Sequence, residues 1–520
     1  MLQSLPLLEI TVAAPFVAAA LMLFTDKPAI IRPIGVAGAF VSLLGAIAVA
    51  FSYDIQAGGI QMVTTYELLP EMGINVTLGV DGWGTSLLLL TGLIIFGGSF
   101  ASWTVERRAR DFYVMLLVLV TGVYGVFVSL DLFVFFLFYE IAVLPMYLLI
   151  GIWGSPGKVA DAGPFRFVWK LLDIGGKEYA AMKLTLMLLI GSGLIVAAMM
   201  AMYWEAGGAS FDMRHLEAHN FSYTTAMWAF PALWIGFGTL AGLWPFHTWS
   251  PDGHAAAPTA VSMLHAGVLM KLGAFGVMRV GMMLLPEGAR EWAWVVGTVA
   301  CINILYGALC AMAQRDLKYI IAYSSVSHMG VVMLGAATMT VNGWNGAVYQ
   351  MFAHGLMTGL FFALVGLVYE RAHSRWIPDF GGFAHKMPFV AAFFTIGCLS
   401  SLGLPALAGF VAEWLVFLGA WESQSPWWAV VGLLGAWVTA IYVLRATKMI
   451  FWGGEPDEKW TDLSDPKGPE WVALWVLGLG LIVFGMGPGL VLDLIDVATT
   501  EYLAKVTGAK TVVAALEVLR

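Results

Sequence analysis

The 520-residue chain is 60% hydrophobic and only 12% charged, whereas an ordinary soluble domain carries about 25% charged residues. With a mean hydropathy of +0.83, this composition excludes a soluble globular enzyme and a nucleic-acid-binding chain, and it points to a polytopic membrane protein. The net charge of −8 comes from acids gathered in a few loops, so it says little about partners.

From the N-terminus onward, apolar stretches of about 20 residues recur, each long enough to cross a hydrocarbon core of ~30 Å as a helix. We expect about fourteen spans, near 3–24, 31–52, 83–104, 112–129, 131–153, 180–204, 226–246, 257–280, 292–312, 318–340, 344–369, 388–418, 426–452 and 471–490. The first run has no basic leader and no small-residue cleavage site, so it reads as a retained helix. The last 30 or so residues, with Asp493, Asp496, Glu501 and Lys505, read as an interfacial amphipathic tail. Cys301, Cys310 and Cys398 lie far apart in apolar context and offer neither a metal spacing nor a disulfide framework. No P-loop, dinucleotide fingerprint or CxxC motif is present.

Placing the N-terminus outside puts most of the 26 Lys and Arg residues in cytoplasmic loops, as the positive-inside rule requires. Lys27, Arg32, Arg107, Arg108, Arg110, Arg315, Lys318, Arg371 and Arg375 are among them, and both termini then face away from the cytoplasm. Two spans are interrupted by Pro and Gly: GTLAGLWPFHTW at Pro245 and SLGLPALAGFVAEW at Pro405. They occupy corresponding places in two five-helix units. The organisation expected is therefore 1–111 (spans 1–3), 112–280 (first repeat, with a cytoplasmic insert at 155–179), 281–452 (second repeat) and 453–520 (span 14 and the tail). Paired broken helices are the sequence mark of an inverted-repeat transporter with ion sites near the midplane. Ordinary proline kinks are the plainer alternative, but broken backbone survives at membrane depth only inside protein or along a wet cavity.

Ionisable residues coincide with these breaks. Glu140 lies in FVFFLFYEIAVLPMYLL, Lys271 in MLHAGVLMKLGAF, His354 in YQMFAHGLMTGLFF, and Glu413 beyond the second break. His265, His328 and Asp131 are weaker members of the set. A charge at the bilayer centre costs about 2.5–3.5 kcal/mol on insertion scales, so such residues are kept for ion paths or proton relays. The blander readings are a static ion pair for Glu140, Lys271 and Glu413 and an interhelical hydrogen bond for each histidine.

These segments, with LGVDGWGTSLLLL (78–90), SLDLFVFFLFYEIAVLPMYLLIGIWG (129–154), WPFHTWSPDGHAAAPTAVSMLHAGVLMKLGAFG (244–276), AQRDLKYIIAYSSVSHMG (313–330), MFAHGLMTGLFF (351–362) and SLGLPALAGFVAEWL (401–415), are the specific pieces of a resemblance that covers nearly the whole length. They resemble the antiporter-like subunit M (subunit 4) family of proton-pumping NADH–quinone oxidoreductase, respiratory complex I. The resemblance implies an all-α membrane protein of two inverted five-helix repeats, with helices 7 and 12 broken, acting as a proton-translocating subunit. No redox cofactor is expected in this chain; NADH, FMN, Fe–S clusters and quinone belong to partner subunits. The partners implied are the antiporter-like subunits L and N and, indirectly, the peripheral redox arm, in a bacterial inner membrane. By the same resemblance, Glu140 matches the fifth-helix glutamate, Lys271 the eighth-helix lysine of the central axis, Glu413 the twelfth-helix glutamate and His354 an eleventh-helix histidine. His247, the histidine of the broken seventh helix, and His328 join the proposed path.

Two departures stand out. The family's seventh-helix lysine, seven residues before its histidine, is replaced by Leu240, which leaves Glu140 without its usual partner; His265 is the candidate substitute. The insert at 155–179 is longer than its counterparts and is a candidate docking helix. An Mrp-type cation/proton antiporter subunit, the membrane arm of a hydrogenase or ferredoxin-linked complex, and a non-pumping scaffold remain alternative readings.

Overall fold

The computed structural model of the protein describes residues 5–155, 175–460 and 463–508. The spans become α1 (Leu7–Met22), α2 (Pro28–Ser52), α3 (Gly82–Ala101), α4 (Ala109–Val128), α5 (Leu132–Trp153) and α6 (Lys177–Glu205), followed by α7 in two pieces (Tyr223–Ala241 and Trp249–Ala256). Next come α8 (Thr259–Met282), α9 (Pro286–Ala313), α10 (Leu317–Ala337) and α11 (Val341–Ala372). The rest are α12 in two pieces (Pro388–Ser401 and Ala408–Glu422), α13 (Trp427–Phe451), α14 (Glu470–Met486) and the tail helix α15 (Gly489–Thr507). Ten helices are individually long and apolar enough to cross a membrane, eleven if α14 and α15, bent by 66°, are taken as one span. α1, with 16 residues, and the interrupted α7 and α12 complete the fourteen expected. The insert falls mainly outside the described residues, as does the end of the tail.

The expectation of an all-α chain needs one amendment. The loop between α2 and α3 forms an antiparallel hairpin, β1 (Gln61–Leu69) and β2 (Ile74–Val80). Gly73 reverses the chain there at φ 64°, a conformation that glycine adopts without steric cost. Asp131, a weak member of the predicted polar set, caps α5 at this same end, accepting from Phe133 N and Val134 N, both at 3.0 Å, and from Asn75 N at 3.1 Å. It is a helix cap that also ties down the hairpin.

α8 and α11 are the innermost spans; the apolar stretch of each that would cross the membrane is wholly buried. Two glycines let them meet: a Cβ on Gly355 would come within 2.6 Å of the Gly267 carbonyl, so any larger residue there would separate the helices. α8 also departs from α geometry, with π-helical turns at His265–Leu269 and Val277–Met282 on either side of Lys271. Such wide turns commonly sit at functional positions.

Both expected breaks are present. The first piece of α7 ends on Gly242 in the left-handed region, φ 76°. Beyond it the exposed backbone is satisfied by side chains: Trp244 N donates to Asn303 Oδ1 at 2.8 Å, and Trp249 Nε1 donates to Thr239 O at 2.8 Å. In α12 the break carries Gly403 at φ 73° and Ala406 at φ 76°, with Gly409 N donating to Ser400 Oγ at 3.4 Å. Each interruption is partnered where it adjoins the bundle, while its apex, Trp244–Phe246 in α7 and Leu404–Ala406 in α12, is exposed on the surface of this chain; irregular backbone at membrane depth requires such an apex to be covered by protein or to line a wet cavity.

Candidate proton-translocation site

Lys271 is fully buried, at 0% exposure. Its ammonium donates to the carbonyl of Ala266 in the π-turn and lies 2.7 Å from His354 Nδ1 on α11. The Gly267–Gly355 contact makes this meeting possible. His354 Nε2 has no protein partner, and its ring centroid is 5.1 Å from that of His328 on α10. His328 Nδ1 donates to Ser324 O at 2.8 Å, while Nε2 faces Ser401 O at 3.3 Å and Glu413 Oε1 at 3.5 Å. Ser401 closes the first piece of α12 and Glu413 lies on the second, so the helix break itself opens the room that His328 and Glu413 share.

The hydrogen bonds constrain the protons. With the His328 Nδ1 proton committed to Ser324 O, Nε2 and Glu413 share one proton: imidazolium faces carboxylate, or neutral imidazole accepts from carboxylic acid. Lys271 and His354 are both bases, so one proton between them makes ammonium facing imidazole or amine facing imidazolium. Four ionisable groups from α8, α11, α10 and α12 thus form one buried file, in polar contact at its two ends and joined in the middle by the packing of the His354 and His328 rings.

Glu140 stands outside this file. It is half-buried, and its carboxylate accepts from Ser192 Oγ of α6 at 2.5 Å. Among the described residues no cation lies within 4.0 Å of it, and no hydrogen bond joins it to His265. Leu240 is buried at 1% exposure. His247, in the α7 break, is buried with Nδ1 unpartnered, its ring 5.0 Å from that of Tyr306.

His265 lies elsewhere than expected: its ring is 4.2 Å, centroid to centroid, from that of His254 and 5.0 Å from Trp249. His254 was not singled out from the sequence, because it sits in the polar SPDGHAAAPT segment of the break, which reads as loop. Lys318, which opens the expected span at 318–340, is buried on the first turn of α10, donating to Ala257 O at 2.7 Å. Neighbouring Asp252 pairs with Lys183 Nζ at 2.8 Å and accepts from Tyr319 OH at 3.0 Å. Among the described residues no cluster of His, Cys, Asp and Glu could hold a metal ion.

A helical bundle with two broken spans and a continuous file of buried titratable groups defines a membrane ion-translocating protein. Residues 129–439 match the family described as NADH:quinone oxidoreductase/Mrp antiporter, transmembrane region, and the chain belongs to that family. It is 37% identical over 510 residues to NAD(P)H-quinone oxidoreductase chain 4 of Trichormus variabilis, covering 96% of this chain and 91% of the relative. Its structure is similar to a chain of respiratory complex I from Thermus thermophilus, with a TM-score of 0.84 at 30% identity, covering 95% of this chain and 99% of that one. A chain of the Mrp complex from Dietzia sp. has the same fold, with a TM-score of 0.82 at 19% identity over 96% of this chain and 98% of its own.

Proposed function

We propose that this protein is the antiporter-like proton-translocating subunit of a bacterial NADH–quinone oxidoreductase, moving protons along Lys271, His354, His328 and Glu413. The observation that carries the reading is the buried file of neighbouring titratable groups from Lys271 to Glu413, supported by the similarity to quinone oxidoreductase chain 4. Redox chemistry belongs to partner subunits, which hold NADH, FMN, Fe–S clusters and quinone, and this chain supplies the ion path. Conformational or electrostatic change arriving along the membrane arm alternates the protonation of the file. Each charge moved against 100 mV requires ~2.3 kcal/mol of coupled work. Antiporter-like neighbours of the L and N type flank it in the inner membrane, with both termini outside the cytoplasm and the Arg315–Arg375 end within it.

The test is to tag the chain, solubilise it gently and identify what accompanies it while assaying NADH–quinone activity. Co-purification with flavin- and iron–sulfur-bearing subunits and quinone-reducing activity is the expected result. Isolation with small membrane subunits only, with sodium-dependent transport independent of NADH and quinone, would assign a cation/proton antiporter instead.

A further inference from the structure

The file from Lys271 to Glu413 explains onward transfer but not how protons reach Lys271. Among the described residues the hydrogen-bond partner of Glu140 is Ser192, and Leu240 offers no proton-carrying group. A different set of groups connects Lys271 to the basic end of the bundle. There a cavity of about 530 Å³ opens between the ends of α6, α10 and α11, lined in part by Asp252, Ala256, Asp316, Tyr319 and Arg375. Asp252 and Ala256 belong to the short second piece of α7, and His254 lies between them in that helix. His254 is fully buried and neither ring nitrogen has a protein partner. Buried Lys318, between cavity-lining Asp316 and Tyr319 in sequence, donates to the carbonyl of Ala257, the residue after cavity-lining Ala256.

His265 continues the line. Its ring packs against that of His254 at 4.2 Å, and its Nδ1 is also unpartnered. It opens the π-turn whose Ala266 carbonyl holds the Lys271 ammonium. A buried polar atom without a partner costs about 1–3 kcal/mol. Two adjacent imidazoles with three such atoms are therefore expensive as packing, yet they suit groups that exchange protons with each other or through a bridging water.

We propose that protons enter from the cytoplasmic face at the Asp252–Tyr319 cavity and reach Lys271 through His254 and His265, rather than through Glu140. One proton leaves cytoplasmic water, is carried in turn on the two imidazoles, and ends on a neutral Lys271 amine; only N–H and O–H bonds are made and broken. The inference rests on the proton-translocating reading of the Lys271–Glu413 file.

The experiment uses the whole complex in proteoliposomes and reads protons translocated per NADH oxidised in the variants His265→Leu, His254→Gln and Lys271→Ala. The two histidine variants are expected to lose as many protons per NADH as Lys271→Ala does. Should His265→Leu fail to assemble, His265→Gln, which keeps polarity but cannot carry the proton, is expected to show the same loss. Unaltered stoichiometry in the assembled histidine variants, with the loss confined to Lys271→Ala, overturns the relay and leaves the subunit's function standing. Unaltered stoichiometry in Lys271→Ala as well overturns the proton-translocating reading itself.

Discussion

The ammonium of Lys271 and Nδ1 of His354 are 2.7 Å apart, in a contact shut off from water on every side. Two helices contribute one group each, and neither group has an acidic partner within ion-pair distance. A charge here is costly: a proton shared between amine and imidazole spreads one positive charge over two groups, and loss of that proton leaves a neutral amine–imidazole hydrogen bond.

Lys271→Met separates function from stability. Methionine keeps the length and most of the packing, while removing the ammonium. The substitution removes the desolvation cost of a buried ammonium with no acidic partner, against about 1–3 kcal/mol for each polar atom, His354 Nδ1 and Ala266 O, that loses its donor. The assembled complex is therefore expected to keep or raise its thermal midpoint and to lose the proton flux of this subunit. Differential scanning fluorimetry alongside proton uptake checks both; a lowered midpoint would make Lys271 a structural residue.

Glu413 gives a second test through backbone. Gly403 occupies the left-handed region at φ 73°, and a Cβ there would lie 2.9 Å from Glu413 Oε2. An alanine would add about 1–2 kcal/mol of backbone strain and push the carboxylate away from His328. Gly403→Ala is expected to lower pumping in an assembled complex, in the same direction as Glu413→Gln. Normal pumping by Gly403→Ala would show that the His328–Glu413 spacing is not critical.

The positions of charged residues in apolar runs were legible in the sequence, and so were the two breaks, because proline and glycine there interrupt otherwise continuous spans. The pairings were not. Lys271 meets His354 because Gly267 and Gly355 bring α8 and α11 together, and a helix crossing of this kind leaves no periodicity in either segment alone. His254 escaped notice because SPDGHAAAPT has the composition of a surface turn, although the fold packs it into the bundle. The hairpin was missed for the opposite reason: QMVTTYELL and INVTLGV are short, and the loop was read only for its acids.

At the far end of α8, Arg279 pairs with Asp81 at 2.9 Å, and Tyr502 of α15 donates to the same carboxylate at 2.6 Å. Asp81 also caps α3, accepting from Gly84 N at 2.7 Å. All three side chains are buried, so removing the guanidinium leaves a buried acid unpaired, at a cost of about 3–5 kcal/mol. Arg279→Leu is expected to lower the thermal midpoint markedly, and Asp81→Asn in the same chain to recover part of the loss. Additive losses in this double-mutant cycle would show that the two residues do not interact.

Leu240 provides the last test. Ser192, the partner of Glu140, is adjacent to Gly191, and a Cβ on Gly191 would lie 3.3 Å from Cβ of Thr239. A lysine in place of Leu240 therefore enters the helix contact that holds Glu140. Alone in an apolar wall it would cost several kcal/mol, but paired with Glu140 the cost falls. Leu240→Lys is expected to assemble, and Leu240→Lys with Glu140→Gln to be less stable than the two single variants predict. If His254 and His265 supply Lys271, the new lysine should also leave protons per NADH unchanged, since α5 would then carry no part of the flow. A rise in stoichiometry in Leu240→Lys would mean that a second entrance had been restored and that uptake limits the unaltered protein.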